Sequence, residues 1–139
     1  KLPERILVDG REREFVGIDV GNPHAVYFCP DVDSLDLEKI GPAYECHPRF
    51  PDRVNTEFTR IIDRKHIQMR VWERGSGETW ACGTGATACA VAAMMSGLVE
   101  DSVEVRLKGG NLQIRWDRTE GHVYMTGPAV EVFCGEIVV

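Results

Sequence analysis

The stretch Glu73–Met95, ERGSGETWACGTGATACAVAAMM, joins a polar, glycine-punctuated loop to an almost wholly apolar segment through one cysteine, Cys82. Ala86, Ala88, Cys89, Ala90, Val91, Ala92, Ala93, Met94 and Met95 leave no polar stripe, whereas a helix lying on a protein surface keeps one. The segment predicts a helix from about Gly83 to Ser96, enclosed on most sides, with Gly97 placed to end it. Its many alanines let neighbouring backbone come close, and strands surrounding one helix meet that demand. The expected class is α+β: a mixed or antiparallel, barrel-like sheet wrapped around a central helix.

The flanking sequence supplies the strands. ERILVDG and REFVGIDVG flank the turn-prone pair Asp9-Gly10, and HAVYF (His24 to Phe28) follows Gly21-Asn22-Pro23. SLDLEKIGPAYECHP predicts a short helix starting near Ser34 or Asp36 and ended by Pro48, with Pro42 an awkward interior residue. IQMRVWER alternates Ile67, Met69 and Val71 against Gln68, Arg70 and Trp72, the pattern of a half-buried strand. Past Gly97, the runs VEVRL, LQIRW, HVYMT and VEVFCGEIVV are separated by short turns and predict an antiparallel meander. Residues 1–139 read as a single domain, of a size that builds a sizeable core.

Charge and composition narrow the function classes. Apolar residues are 43% and charged residues 27%, the balance of a soluble globular chain. A net charge of -6 with scattered basic residues argues against nucleic acid or an anionic membrane as a partner. Five cysteines (Cys29, Cys46, Cys82, Cys89, Cys134) form no CxxC pair and no Cys/His cluster with metal-ligand spacing, so no metal is expected. Free thiols in a reducing, cytoplasmic setting are the expectation. The chain starts with Lys1 rather than Met, which reads as a piece excised from a longer polypeptide.

The chemistry concentrates at Cys82. The first N–H groups of a helix lack intrahelical partners and carry partial positive charge, so a thiolate there is favoured and its pKa is expected to fall. The same N–H groups, from Gly83, Thr84 and Gly85, bind a carboxylate or phosphate, and glycines permit close approach. A thiol beside an anion site suits proton transfer at a carbon next to a carboxylate. The competing reading is a small core cysteine whose glycines serve packing; the polar loop ERGSGET favours function. Cys89 reads as a packed thiol, and Cys29, Cys46 and Cys134 carry no assigned role.

Four segments resemble the diaminopimelate epimerase family in its own order: GNPHAVYF (Gly21 to Phe28), RVNTEF (Arg53 to Phe58), RVWERGSGETWACGTGA (Arg70 to Ala86) and the closing GPAVEVFCGEI. The third is the most specific. The resemblance spans essentially the whole chain but only half of the family's architecture, in which two similar halves enclose a cleft and each supplies one cysteine. The other half's CGNG-type motif is absent, so the chain resembles the C-terminal half.

The resemblance implies cofactor-independent inversion of LL-diaminopimelate to the meso form, for lysine and cell-wall synthesis. One thiolate removes the α-proton while the opposite thiol protonates the other face. Carried over, Cys82 is this half's acid/base, and the backbone of Gly83 and Thr84 holds the reacting carboxylate. Asn22, Asn55 and Arg74 bind the distal amino-acid end. Glu73 and His24 tune the thiols, with Glu73 also near substrate. Plainer readings stand beside these: Asn22-Pro23 as a turn, His24 as a satisfied strand histidine, Glu73-Arg74 as a surface pair.

Alternatives are another isomerase of the same fold, proline racemase-like or phenazine-biosynthesis-like, or a non-catalytic binding or assembly module. A cysteine hydrolase finds no support, because His24, His47, His66 and His122 stand in no hydrolase-type motif. The partners implied are the small-molecule substrate and the missing N-terminal half. The last strand, about residues 130–139, is expected to belong to that half, and its exposed edge gives a route to a homodimer.

Overall fold

The computed structural model describes residues 2–139. Among them nine strands and two helices form a mixed α+β unit built on one large open sheet. The first hairpin pairs β1 (Glu4–Val8) with β2 (Arg11–Asp19) across Asp9-Gly10. Both turn residues have positive φ, 48° and 74°, the conformation that matches the twist of a two-residue hairpin. Antiparallel to β2 lies β3 (Pro23–Phe28), and β4 (Asn55–Asp63) lies parallel to β3. That parallel step needs a crossover, which α1 (Leu37–Glu45) provides. Next come β5 (His66–Glu73) and a short β6 (Gly77–Thr79) folded back on it. Then α2 (Gly83–Met95) leads to the meander β7 (Ser102–Leu107), β8 (Gly110–Asp117) and β9 (His122–Thr126). Parallel pairing of β7 with β5 closes the order β1-β2-β3-β4-β5-β7-β8-β9.

The sheet carries a helix on each face. Eight of the 13 residues of α2 are buried, and the helix touches β2, β3, β4, β5, β7, β8 and β9. Its small side chains meet Val16, Val26, Ile67, Met69, Val71, Val103, Val105 and Ile114 of the strands. It ends on Gly97 at φ 70°, where Gly97 N–H bonds the Met94 carbonyl and Leu98 N–H bonds the Ala93 carbonyl. This left-handed stop satisfies the last carbonyls of a buried helix.

The opposite face holds α1 and the aromatic cluster Phe15, Tyr27, Tyr44 and Phe58. Asp36 caps α1 by accepting from Lys39 N–H at 3.3 Å, as its position ahead of the apolar run predicts. Pro42 lies inside the helix, which stops at Cys46, earlier than the expected Pro48.

Three expectations are corrected. Trp72, expected on a solvated strand face, is buried under α1 against Gly41, where a methyl group would overlap its ring. β4 was not anticipated: Asn55, Thr56, Glu57, Phe58 and Thr59 are all buried, so no period-two contrast marks the strand. Residues 127–139, expected to hold a last strand, have no regular structure and are exposed. A strand needs a hydrogen-bonded neighbour, and none of the described strands pairs with this segment.

Candidate active site

Three segments converge where α2 begins. The turn Gly21-Asn22-Pro23 opens β3, with Gly21 at φ 100° and its N–H bonded to Asp19 Oδ1 at 2.8 Å. Parallel pairing sets His24 of β3 opposite Asn55 of β4. The antiparallel β4–β5 pair then carries Glu73 and Arg74 past Asn55, so Arg74 N–H reaches Asn55 Oδ1 at 2.8 Å. Asn55 Nδ2 donates to the Pro23 carbonyl at 3.2 Å, tying the RVN segment to the GNPH turn. Asn22 Nδ2 donates to Thr84 Oγ1 at 3.5 Å, tying that turn to α2.

The loop before α2 is held from below. Glu45, the last residue of α1, accepts from Trp72 Nε1 at 2.9 Å, Gly75 N at 2.9 Å and Arg53 Nη1 at 3.1 Å. Burial pushes its pKa up, but bonds from Gly75, Trp72 and Arg53 outweigh that and hold the carboxyl below its ordinary value. Positive φ at Gly75 and Gly77, 78° and 74°, lets the loop reverse within three residues.

Cys82 is the N-cap of α2, with extended backbone at φ -148° and ψ 102°. Its sulfur accepts the Gly85 N–H at 3.2 Å and lies 3.6 Å from the Thr84 hydroxyl. The N–H groups of Gly83 and Thr84 have no intrahelical acceptor and remain available to an anion. Thr84 and Arg74 are exposed and Gly83 half-buried, so this surface admits a ligand.

The lowered thiol pKa expected from the helix terminus is not found. Burial pushes the Cys82 thiol above its ordinary value, and nearby Glu73 adds to the rise. The Thr84 hydroxyl and Gly85 N–H pull the other way without prevailing. Desolvation and the charge of Glu73 outweigh one helix end. Cys89 is fully buried, with the Thr59 hydroxyl donating to its sulfur at 3.0 Å, as a packed thiol would be.

One site residue has no counterpart among the expected ones. Glu57 is completely buried on β4, its Oε1 bonded to His24 Nδ1 at 2.5 Å. A methyl group on Gly85 would stand 3.0 Å from both the Cys82 sulfur and Glu57 Oε1, so carboxyl and thiol face one gap. Burial raises the Glu57 pKa well above its ordinary value and lowers that of His24 to about 4, each shift favouring the neutral form. Asp19 and Glu73 partly offset the fall at His24, and Arg74 adds to it. The signal was present as a glutamate in the run VNTEFTRII, but alternation reads it as solvated.

Asn22, His24, Asn55, Arg74, Thr84 and Cys82 are thus linked by direct bonds or by one intervening residue, and Glu73 is felt electrostatically at both His24 and Cys82. Among the described residues, no helix is long and apolar enough to cross a membrane. Among the described residues, no group of three His, Cys, Asp or Glu side chains is placed to hold a metal ion.

Known proteins resemble this chain to different depths. The chain is similar in fold to a Bacillus anthracis phenazine biosynthesis protein of the PhzF family, at TM-score 0.56 and 23% identity over 88% of this chain and 40% of that one. An Enterococcus faecalis phenazine biosynthesis protein matches at TM-score 0.56 and 20% identity, over 70% and 35%. Sequence relatives are nearer. A Desulfovibrio desulfuricans diaminopimelate epimerase is 56% identical over 129 residues, 93% of this chain and 45% of that protein. One from Acetivibrio thermocellus is 53% identical over 134 residues, 96% and 48%. The chain spans about half the length of the curated relatives it matches. The sequence model of diaminopimelate epimerases matches residues 16–132, and the chain belongs to that family.

Proposed function

We propose that the chain is one half, the C-terminal one, of an enzyme that inverts the α-carbon of LL-diaminopimelate to give the meso form without a cofactor. The observation that carries this reading is the thiol of Cys82 at the N-terminus of a buried helix, beside the linked side chains of Asn22, Thr84 and Asn55, the last bonded to the Arg74 backbone N–H. Residues 1–139 form one domain, and the tail 130–139 completes the partner half. We infer a barrel-like half in which the sheet curls about α2; the seven strands that α2 touches support this.

The α-proton of an amino acid is very weakly acidic, so developing negative charge needs fixed donors. The Gly83 and Thr84 N–H groups bind the reacting carboxylate and oppose that charge without reorganising, as preorganised dipoles do. Cys82 then takes or delivers the proton. A thiol on the opposite half does the converse, because one base alone would return the proton to the face it left. Bringing the anionic carboxylate and the second half to this surface changes the environment that raises the Cys82 pKa in the single chain. At the distal end, Arg74 offers a bidentate fork for a carboxylate, and Asn22 and Asn55 pair with carboxylate or ammonium. Glu73 and His24 set the charge around the thiol.

Exposed Met125, whose sulfur would lie 3.1 Å from a methyl group on Gly83, forms an apolar rim at the site. That rim suits a covering half. The chain assayed alone is expected to show no interconversion of the LL and meso forms. Slow exchange of the α-proton into deuterated water, with configuration retained, is compatible with one thiol. Full turnover by the single chain would overturn the two-half reading.

A further inference from the structure

We infer that Glu57 is a positioning residue which, through His24 and Asn22, aims the Thr84 hydroxyl at the Cys82 sulfur. The role assigned to Cys82 rests on the function proposed above; the chain of contacts does not. It runs Glu57 Oε1 to His24 Nδ1 at 2.5 Å, His24 Nε2 to Asn22 Oδ1 at 3.0 Å, Asn22 Nδ2 to Thr84 Oγ1 at 3.5 Å, and Thr84 Oγ1 to Cys82 Sγ at 3.6 Å. Each link fixes the polarity of the next. Asn22 Oδ1 only accepts, so His24 Nε2 carries the ring proton. Neutral His24 therefore has a bare Nδ1, which must accept, and Glu57 must donate as the carboxylic acid. With its amide oxygen engaged by His24, Asn22 presents its N–H to Thr84 Oγ1. That leaves the Thr84 hydroxyl proton free to point at sulfur, where it stabilises a thiolate.

The surroundings of Glu57 fit the acid form. Both residues of the Glu57–His24 pair have side chains with no exposure, and Glu57 Oε2 is buried without a partner. An ionised carboxylate would leave a formally charged oxygen unsolvated, whereas a neutral acid leaves only a weak carbonyl-type acceptor. The other titratable groups about the pair are Asp19, Glu73, Arg74, Cys82 and Cys89. No lysine is among them, and Arg74 is exposed. Nearby Glu73 disfavours a further negative charge at Glu57.

The test uses the complete chain and needs no turnover. Nitrogen-15 NMR of the His24 ring reports which nitrogen holds the proton; the expected result is Nε2–H with bare Nδ1, and an Nδ1–H signature would overturn the proposal. In parallel, alkylation of Cys82 is followed against pH by peptide-resolved mass spectrometry in Glu57→Gln and Glu57→Leu. Glutamine still donates to Nδ1, so the Cys82 profile is expected to stay where it is. Leucine breaks the chain and is expected to raise the apparent Cys82 pKa by about one unit, the equivalent of one hydrogen bond to a charged group. A buried carboxylate gives the opposite sign, since removing it relieves repulsion of the thiolate; a fall in either variant refutes the positioning role, as does an unchanged Glu57→Leu profile. If Glu57→Leu does not fold, the NMR result and the Glu57→Gln profile still decide. Neither readout involves diaminopimelate, so failure here leaves the proposed function standing, and failure of that function leaves this result intact.

Discussion

Replacing Glu57 by Gln should change how the stability of this chain responds to pH, by an amount that follows from the two buried groups. Folding lowers the pKa of His24 from 6.5 to about 4, so its contribution is present above pH 6.5 and is lost as pH falls toward 4. Folding raises the pKa of Glu57 well above 4.5, so its contribution is present below pH 4.5 and is lost as pH rises. Between those two ordinary values the unfolded chain holds one proton, on histidine, and the folded pair also holds one, on Glu57. The opposing slopes cancel, and the pair leaves stability flat. Above pH 6.5 the unfolded chain has released both protons, and stability falls by about 1.4 kcal/mol per pH unit for as long as the folded Glu57 keeps its own. Glutamine does not titrate, so Glu57→Gln removes the Glu57 slope and keeps that of His24. The stability of the variant relative to the parent should therefore rise with pH from about pH 5, at about 1.4 kcal/mol per pH unit while the folded Glu57 keeps its proton. Urea unfolding followed by circular dichroism at several pH values measures this difference directly. A flat difference, or one that falls with pH, would refute a protonated Glu57.

Three further outcomes follow from the same geometry. Gly85→Ala places a methyl group 3.0 Å from both the Cys82 sulfur and Glu57 Oε1, and should cost about 1–3 kcal/mol of stability by urea unfolding; a change below a few tenths would mean the gap is looser than described. Glu45→Ala leaves the Trp72 and Gly75 N–H groups without their acceptor and should cost about 2–4 kcal/mol, with the 73–77 loop gaining hydrogen exchange; unaltered exchange there would remove Glu45 as its anchor. In the single chain near neutral pH, exposed Cys46 should be alkylated before buried Cys82, and the reverse order would restore the low-pKa thiol that the helix terminus suggested.

Residues 127–139 bear on association. Val130, Val132, Phe133, Ile137, Val138 and Val139 are all strongly exposed. A chain ending at Gly127 should self-associate less in size-exclusion chromatography, and an unchanged oligomeric state would clear the tail of that role.

The sequence was most legible where one physical demand dominated. An apolar helix without a polar face had to be buried, and α2 is; Asp9-Gly10 had to turn, and it does. Cys82 came from the junction of polar loop and apolar helix, the expected site residues Asn22, His24, Asn55, Glu73 and Arg74 came from motif resemblance, and the β3–β4–β5 register explains how segments so far apart in sequence meet. What stayed hidden was burial of polar groups. β4 hides Asn55, Glu57 and Thr59 on one face and Thr56 and Phe58 on the other, which erases the alternation that reveals a strand. Trp72 is covered by α1, an element whose docking position no local pattern specifies. The Cys82 pKa went the other way because a helix terminus is visible in sequence, whereas desolvation by the surrounding strands is not. The final apolar run has strand composition but no pairing partner among the described strands.

The central claim is that Cys82 moves the α-proton from the N-terminus of α2. Its most direct test is Cys82→Ala in the protein carrying both halves, with interconversion of LL- and meso-diaminopimelate followed in deuterated water. Loss of turnover on the order of 10³-fold or more is expected, with substrate still bound. Turnover within about tenfold of the parent would contradict the account.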